Sequence, residues 1–275
     1  MTELSALILG IIQGLTEFLP VSSSGHLVIF QQFFNVEKDL QMFFDITVHL
    51  GTLMAIIICF LPDVKNLTYV FIKKGFKFLS WKESFKNEFD FKLIVYILIS
   101  TFITGCLGIL FKDHIEIMFD KPKIVGINLI FTGLILYISE RISKRSNNKD
   151  LTLFTIKDAF ILGLIQSIAL MPGISRSGIT IACALVLGFI QKDAAKYSFL
   201  LAIPAIAGAF ILELKDIIAN GFNNDWIFPL LTGFITSSLA GILAIKLILF
   251  VLKERKLFIF SIYCWVLSSL IILFM

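Results

Sequence analysis

From Leu4 to Leu19 the chain is a run of about sixteen mostly apolar residues that stops at Pro20, and Val21, three serines and a glycine follow. A helix needs about 20 residues to cross the hydrocarbon of a bilayer. Proline ends a helix, because it has no N–H to donate and its ring collides with the preceding turn. The run is therefore too short to span and too apolar to leave in water. It is expected to dip into the bilayer and turn back, with residues 4–34 forming a re-entrant helical hairpin. Met1-Thr2-Glu3 carries no basic flank, so the run is read as part of the fold and not as a cleaved signal peptide.

The hairpin carries polar groups where they are costly. An ionised side chain at the bilayer centre costs about 2.5 to 3.5 kcal/mol, so Glu17 requires a partner. In a helix, Gln13 and Glu17 stand four apart on one face. After the turn, Ser22, Ser23 or Ser24 can cap a second short helix, whose free N–H groups make an anion site. His26 lies three residues beyond Ser23, on the same side once that helix has begun.

The same pattern returns without gaps from Gly163 to Gly178. Gly10 aligns with Gly163, Gln13 with Gln166, Ser22 with Ser175, Ser24 with Ser177 and Gly25 with Gly178. Glu17 falls on Leu170 and Ser23 on Arg176, so one copy carries the carboxylate and the other the guanidinium. Two broken hairpins with complementary cargo predict one composite site.

With 57% apolar residues and 29 phenylalanines, and a mean hydropathy of +0.91, the chain is no ordinary soluble domain. The expected class is an all-α polytopic membrane protein built from two inverted repeats. Each repeat is a re-entrant helical hairpin plus three transmembrane helices. The first repeat, residues 1–145, holds the hairpin 4–34 and spans at about 42–61, 93–111 and 124–142. The second, 146–275, holds a hairpin at 154–187 and spans at about 197–214, 227–251 and 257–274, with its boundary in the basic stretch Arg141 to Lys149. Three spans per half put the two halves in opposite orientations.

If residues 63–92 face the cytoplasm, seventeen basic residues fall on that side against five on the other, a positive-inside pattern. The first hairpin then enters from outside and the second from the cytoplasm, so that their tips meet. The net charge of +4 follows this topology and implies no nucleic acid partner. Residues 63–92 hold seven lysines among aromatic rings. They read equally as a segment on an anionic membrane surface and as a solvated loop. Cys59, Cys106, Cys183 and Cys264 sit in apolar segments and read as small core residues, without a disulfide framework or zinc site.

The joined hairpins offer Gln13, Glu17, Ser22, Ser23, Ser24 and His26 with Ser175, Arg176 and Ser177. A guanidinium fork and two helix starts point to an anionic phosphorus ligand. Beside such a ligand Glu17 needs a cation, and a divalent ion such as Mg²⁺, or Ca²⁺, held by Glu17 and the Gln13 carbonyl meets that need. Ser23 with His26 as its base forms one catalytic scheme. In the other, Ser23 only donates to phosphate while His26 or Glu17 activates water. Asp45 and His49, another i,i+4 pair, either line this cavity or bond to one another and a neighbouring helix, and the second reading is favoured. Pro204 is read as a helix kink, and His114 as solvated in a short outer loop.

These two stretches resemble the Gln/Glu-x-x-x-Glu motif followed by P-V-S-S-S/T-G-H, and the P-G-x-S-R-S-G motif, of the bacterial undecaprenyl-diphosphate phosphatases, the bacitracin resistance protein BacA family. The similarity in motif order, length and hydropathy covers essentially the whole chain. The resemblance implies a cell-membrane phosphatase that converts undecaprenyl diphosphate to undecaprenyl phosphate and recycles the cell-wall carrier lipid, its site opening to the outer face. It puts Glu17, Ser23, His26 and Arg176 at catalytic motif positions. Ser22, Ser24, Gly25, Gly173, Ser175 and Ser177 stand at substrate-binding ones. The implied partners are a polyprenyl diphosphate and membrane lipids, with a homodimer left open. A transporter of the same lipid through the same inverted-repeat site is the competing reading, because broken helices in inverted repeats also build transporters. A scaffold without chemistry leaves Glu17 and Arg176 unexplained.

Overall fold

The computed structural model describes residues 1–75, 83–85, 88–143, 148–220 and 223–275, without the side chains of Asp39 and 213–220. Twelve helices order these residues. They are α1 (Glu3–Phe18), α2 (Ser23–Phe33), α3 (Lys38–Cys59), α4 (Leu61–Lys74), α5 (Phe89–Leu110), α6 (Lys112–Phe119), α7 (Pro122–Ser143), α8 (Ile156–Ile168), α9 (Arg176–Val186), α10 (Gln191–Asn220), α11 (Ile227–Lys253) and α12 (Phe258–Phe274). No strand occurs among the described residues; Lys149 and Phe189 make an isolated bridge.

Both hairpins form, and for the same local reason. The Thr2 hydroxyl caps α1 by accepting from the Ser5 N–H at 3.2 Å, and α1 stops just before Pro20. After each turn a serine at the aligned position caps the second limb. Ser22 Oγ accepts from the Gly25 N–H at 3.3 Å, and Ser175 Oγ accepts from the Gly178 N–H at 3.1 Å. A cap of this kind satisfies one of the N–H groups that a helix start leaves without a partner. Thr155 and Asp158 close α8 with a reciprocal capping box.

Five helices are long and apolar enough to cross a membrane: Leu40–Cys59, Phe89–Leu110, Pro122–Ser143, Gln191–Leu212 and Asn224–Lys253. Each overlaps an expected span. The expected last span is α12, an apolar helix of 17 residues. The helix over 191–220 begins a turn and a half before the expected span and continues past it, with Pro204 inside. Its first turns are held by Lys196, whose ammonium lies 2.6 Å from Asp63 in α4. The short connection after α5, expected as a loop, is not irregular: residues 112–119 form α6, with a Lys112–Glu116 pair at 3.5 Å. The expected boundary between halves falls partly on residues 144–147, and the basic aromatic segment partly on 76–82 and 86–87, outside the described residues.

The side chains are sorted as hydrocarbon requires. Phe102, Leu243 and Phe250 are more than 60% exposed, while Gln13, Thr52, Ser100, Ser237 and Ser261 are fully buried. Lipid tails solvate the first set as well as a protein core does, whereas polar groups have partners only inside. The cysteines are free. Cys106 departs from the core expectation, because it sits exposed on the outer face of α5.

Partners are exchanged between the halves. The first hairpin limb α1 packs on α11, and the aligned limb α8 packs on α5. Likewise α3 packs on α11 while α10 packs on α5, and α7 pairs with α12. The aligned glycines make these approaches close. A Cβ on Gly10 would stand 2.8 Å from the Gly233 carbonyl oxygen, and one on Gly163 would stand 2.9 Å from the Ser100 Cα and carbonyl oxygen. Gly163→Ala should therefore destabilise the chain by about 1 to 3 kcal/mol, as overpacking against backbone does. Gly105→Ala, where a Cβ would meet no heavy atom within 4 Å, should leave stability level or raise it by up to about 1 kcal/mol, the helix preference of alanine over glycine. Thermal unfolding in detergent compares the two, and equal midpoints would show that the α5–α8 approach is not tight.

Candidate active site

The hairpin tips touch. The Gly173 N–H donates to Ser22 Oγ at 3.1 Å, and a Cβ on Gly25 would come within 3.3 Å of the Gly173 Cα. Gly173 has φ +94°, a left-handed conformation that costs glycine nothing and other residues more. Asn128 and Thr132 of α7 hold the second tip by donating to the carbonyls of Pro172 at 2.7 Å and Gly173 at 2.8 Å. With the tips fixed, Glu17 at the end of α1 and Arg176 at the start of α9 form a direct ion pair through Oε1 and Nη2.

Besides Arg176, two neighbours donate hydrogen bonds to the Glu17 carboxylate. Its Oε2 accepts from Ser23 Oγ at 2.6 Å and from Gln13 Nε2 at 2.9 Å, and His49 Nε2 lies 3.8 Å away. The carboxylate is almost buried, whereas the Arg176 side chain keeps 19% of its surface. Its Nη1 donates only weakly, at 3.4 Å, to the Ala202 carbonyl. Glu17 thus anchors one edge of the guanidinium, and the rest can turn to an incoming anion.

These groups open on a cavity of about 330 Å³. Glu17, Ser23, Ser24, Ser175 and Arg176 form its polar end together with Asp45 and His49, and Leu170, Phe119, Ile206 and Phe210 are among its apolar walls. Both members of two aligned pairs, Glu17 with Leu170 and Ser23 with Arg176, line this one cavity. Ser22, Gly25, Gly173 and Ser177 do not line the cavity. They sit behind it and fasten the tips, with Ser177 Oγ 3.5 Å from the Leu19 carbonyl.

Two expectations change. Asp45 and His49 do line the cavity, against the favoured reading. The Asp45 backbone carbonyl lies 2.6 Å from His49 Nδ1, and the Asp45 carboxylate accepts from Gln31 Nε2 of α2. Their i,i+4 spacing was visible in the sequence, but not that α3 turns this face toward Glu17. Conversely, Ser23 and His26 are not hydrogen-bonded to each other. The Ser23 hydroxyl donates to Glu17, and both His26 nitrogens are engaged behind the turn, Nδ1 with the Ser22 carbonyl at 2.7 Å and Nε2 with the Tyr263 hydroxyl at 2.8 Å. Three residues along a helix place a side chain about 60° from perfect eclipse, and here that angle carries His26 to the α12 side.

For a divalent ion the donor set is limited. Gln13 Oε1 is buried without a hydrogen-bond partner, while Nε2 of the same amide donates to Glu17. Among the described residues no three His, Cys, Asp or Glu side chains gather as a metal site. Two oxygens fit an ion that keeps water and substrate oxygens as its remaining ligands, the habit of Mg²⁺, and not a dedicated protein cage.

A family model described as bacitracin resistance protein BacA matches residues 6–270. This chain belongs to the BacA family. The chain is similar to an undecaprenyl-diphosphatase of Halothermothrix orenii, 41% identical over 265 residues that cover 96% of this chain and 95% of the relative. An undecaprenyl-diphosphatase of Alkaliphilus metalliredigens is 40% identical over 275 residues, covering 100% of this chain and 99% of the relative. One of Methanobrevibacter smithii is 41% identical over 275 residues, covering 98% and 97%. As a BacA family member with five membrane-length helices, the chain is a multi-pass membrane protein. Within the matched residues, the two hairpin turns bring Glu17, Ser23 and Arg176 together.

Proposed function

We propose that this chain is an undecaprenyl-diphosphatase of the bacterial cell membrane, hydrolysing the terminal phosphate of the lipid diphosphate. The observation that carries this reading is the Ser23–Glu17–Arg176 constellation: a hydroxyl whose proton already points at a carboxylate, beside a guanidinium whose second edge makes only a 3.4 Å contact to the Ala202 carbonyl. The full-length relatives carry that activity in their names, and none of those names denotes transport.

The diphosphate headgroup enters the polar end while the polyprenyl tail stays along the apolar walls or in lipid. Arg176 turns its free N–H groups to the terminal phosphate, where a fork binds two oxygens at once. The N-termini of α2 and α9 add backbone donors and a favourable dipole. Ser23 Oγ attacks the terminal phosphorus as its proton passes to Glu17 Oε2. The bond from phosphorus to the bridging oxygen breaks, and undecaprenyl phosphate leaves. Water then attacks the phosphoserine: its oxygen joins phosphorus, the bond from phosphorus to Ser23 Oγ breaks, Glu17 returns its proton to Ser23 Oγ, and both water hydrogens leave on dihydrogen phosphate. A divalent ion held by Glu17 and Gln13 Oε1 would supply charge neutralisation on the phosphoryl oxygens.

The two halves, 1–145 and 146–275, are read as inverted repeats. The exchange of packing partners between aligned helices supports that reading, and the uneven split of basic residues supports a site that opens toward the outer face. In the test, the purified full chain in detergent micelles with Mg²⁺ is given undecaprenyl diphosphate. It should release inorganic phosphate and accumulate undecaprenyl phosphate. Absence of phosphate release, with intact lipid crossing proteoliposomes, would reject the assignment.

A further inference from the structure

Behind the cavity the Ser22 backbone lies in a conformation that L residues avoid, with φ 68° and ψ 95°. Such strain costs about 1 to 3 kcal/mol and persists only where surrounding bonds hold it. Ser22 Oγ takes the N–H groups of Gly25 and Gly173. Its carbonyl is held by His26 Nδ1 at 2.7 Å. A carbonyl oxygen can only accept, so the proton is on Nδ1. In the neutral ring Nε2 is then an acceptor, and the partner it meets at 2.8 Å is the Tyr263 hydroxyl, which must donate. The two rings stack with centroids 5.8 Å apart and planes 7° from parallel. His26 is 3% exposed and is not among the residues lining the cavity.

We infer that Tyr263 and His26 form a positioning pair for the reacting hydroxyl. Tyr263 sets the imidazole tautomer, and His26 pins the Ser22 carbonyl so that the next residue, Ser23, aims its hydroxyl at Glu17. Neither ring touches substrate. Tyr263 comes from the last helix and belongs to no motif in the sequence, so its part in the site is purely a product of α12 packing on α7 beside the first turn. The inference rests on the proposed function for what Ser23 does, and one of its readouts does not.

His26→Asn separates positioning from base catalysis, since the asparagine amide can place an N–H near the Nδ1 position and has no basic nitrogen. In the phosphate-release assay, H26N should keep kcat within about tenfold of the parent. H26A should lose about 10²-fold or more, the range of a lost catalytic arrangement, with KM changed less than about threefold in both. Tyr263→Phe should lower kcat about three- to tenfold, the worth of one hydrogen bond. In the H26N background, which has no Nε2, it should cost nothing further. Independently of activity, ¹⁵N NMR of the three histidines should show His26 as the Nδ1–H tautomer, and Y263F should blur that signature. The inference is overturned if H26N is as inactive as H26A, if Y263F costs as much in the H26N background, or if His26 reads as Nε2–H. A parent protein that releases no phosphate but shows the Nδ1–H signature defeats the proposed function alone.

Discussion

Arg176→Ala should lower kcat/KM by about 10³-fold or more, the scale on which an arginine that meets transferring phosphoryl charge acts. Its guanidinium is held by Glu17 at one edge and only weakly occupied at the other, so its loss removes the one strong cation among the residues lining the cavity. The same change leaves the Glu17 carboxylate buried with no formal positive charge against it. Breaking a buried pair from one side typically costs about 3 to 5 kcal/mol of stability. Activity and stability can be separated by a second variant. Glu17→Gln combined with Arg176→Met should restore most of the thermal stability, because no lone buried charge remains, and should stay inactive. If that double variant recovered activity along with its melting temperature, Arg176 would be a structural residue. Arg176→Lys is a finer probe: an ammonium carries the charge without the fork, so it should fall between the parent and alanine.

Glu17→Gln alone should reduce kcat by about 10²- to 10⁴-fold, the usual contribution of a positioned proton acceptor. The amide can still meet Ser23 and Gln13 sterically, but it cannot take the serine proton at neutral pH. Binding should suffer less than turnover. Without its carboxylate partner, Arg176 is freer to grip phosphate, so KM should stay level or fall while kcat collapses, the pattern of an interaction made in the transition state only. A rise in KM at constant kcat would place Glu17 in uniform binding, as a metal ligand or anchor, and would return the proton to another base. Steady-state phosphate release on the two purified variants distinguishes these results.

Much of this site was legible from spacing. The two Pro-Ser-Gly breaks, their alignment, and the exchange of Glu17 for Leu170 and Ser23 for Arg176 already required one shared pocket, since an ionised group in hydrocarbon must find its partner inside the protein. The serine caps were legible too, because a cap is a contact across three residues and depends on nothing remote. Less legible was the direction in which each polar side chain faces. Gln13 and Gln166 align, yet Gln13 bonds to Glu17 and Gln166 to Thr104 of α5. The difference comes from the neighbouring helix and not from the local sequence. Asp45 and His49 carried an informative spacing that periodicity alone could not turn toward or away from the cavity.

What the chain determined on its own was the rough extent of five of its six expected membrane helices, the two hairpins and the caps that start their second limbs. In an apolar medium backbone groups must be satisfied within each segment, so these features follow from local order in the sequence. Only the tertiary structure decided that His49 faces Glu17 and that His26 turns its back on Ser23 to meet Tyr263, 237 residues further along. A side chain's partner across such a separation is set by which helices pack together and at what angle, and hydrophobic periodicity carries no record of that geometry.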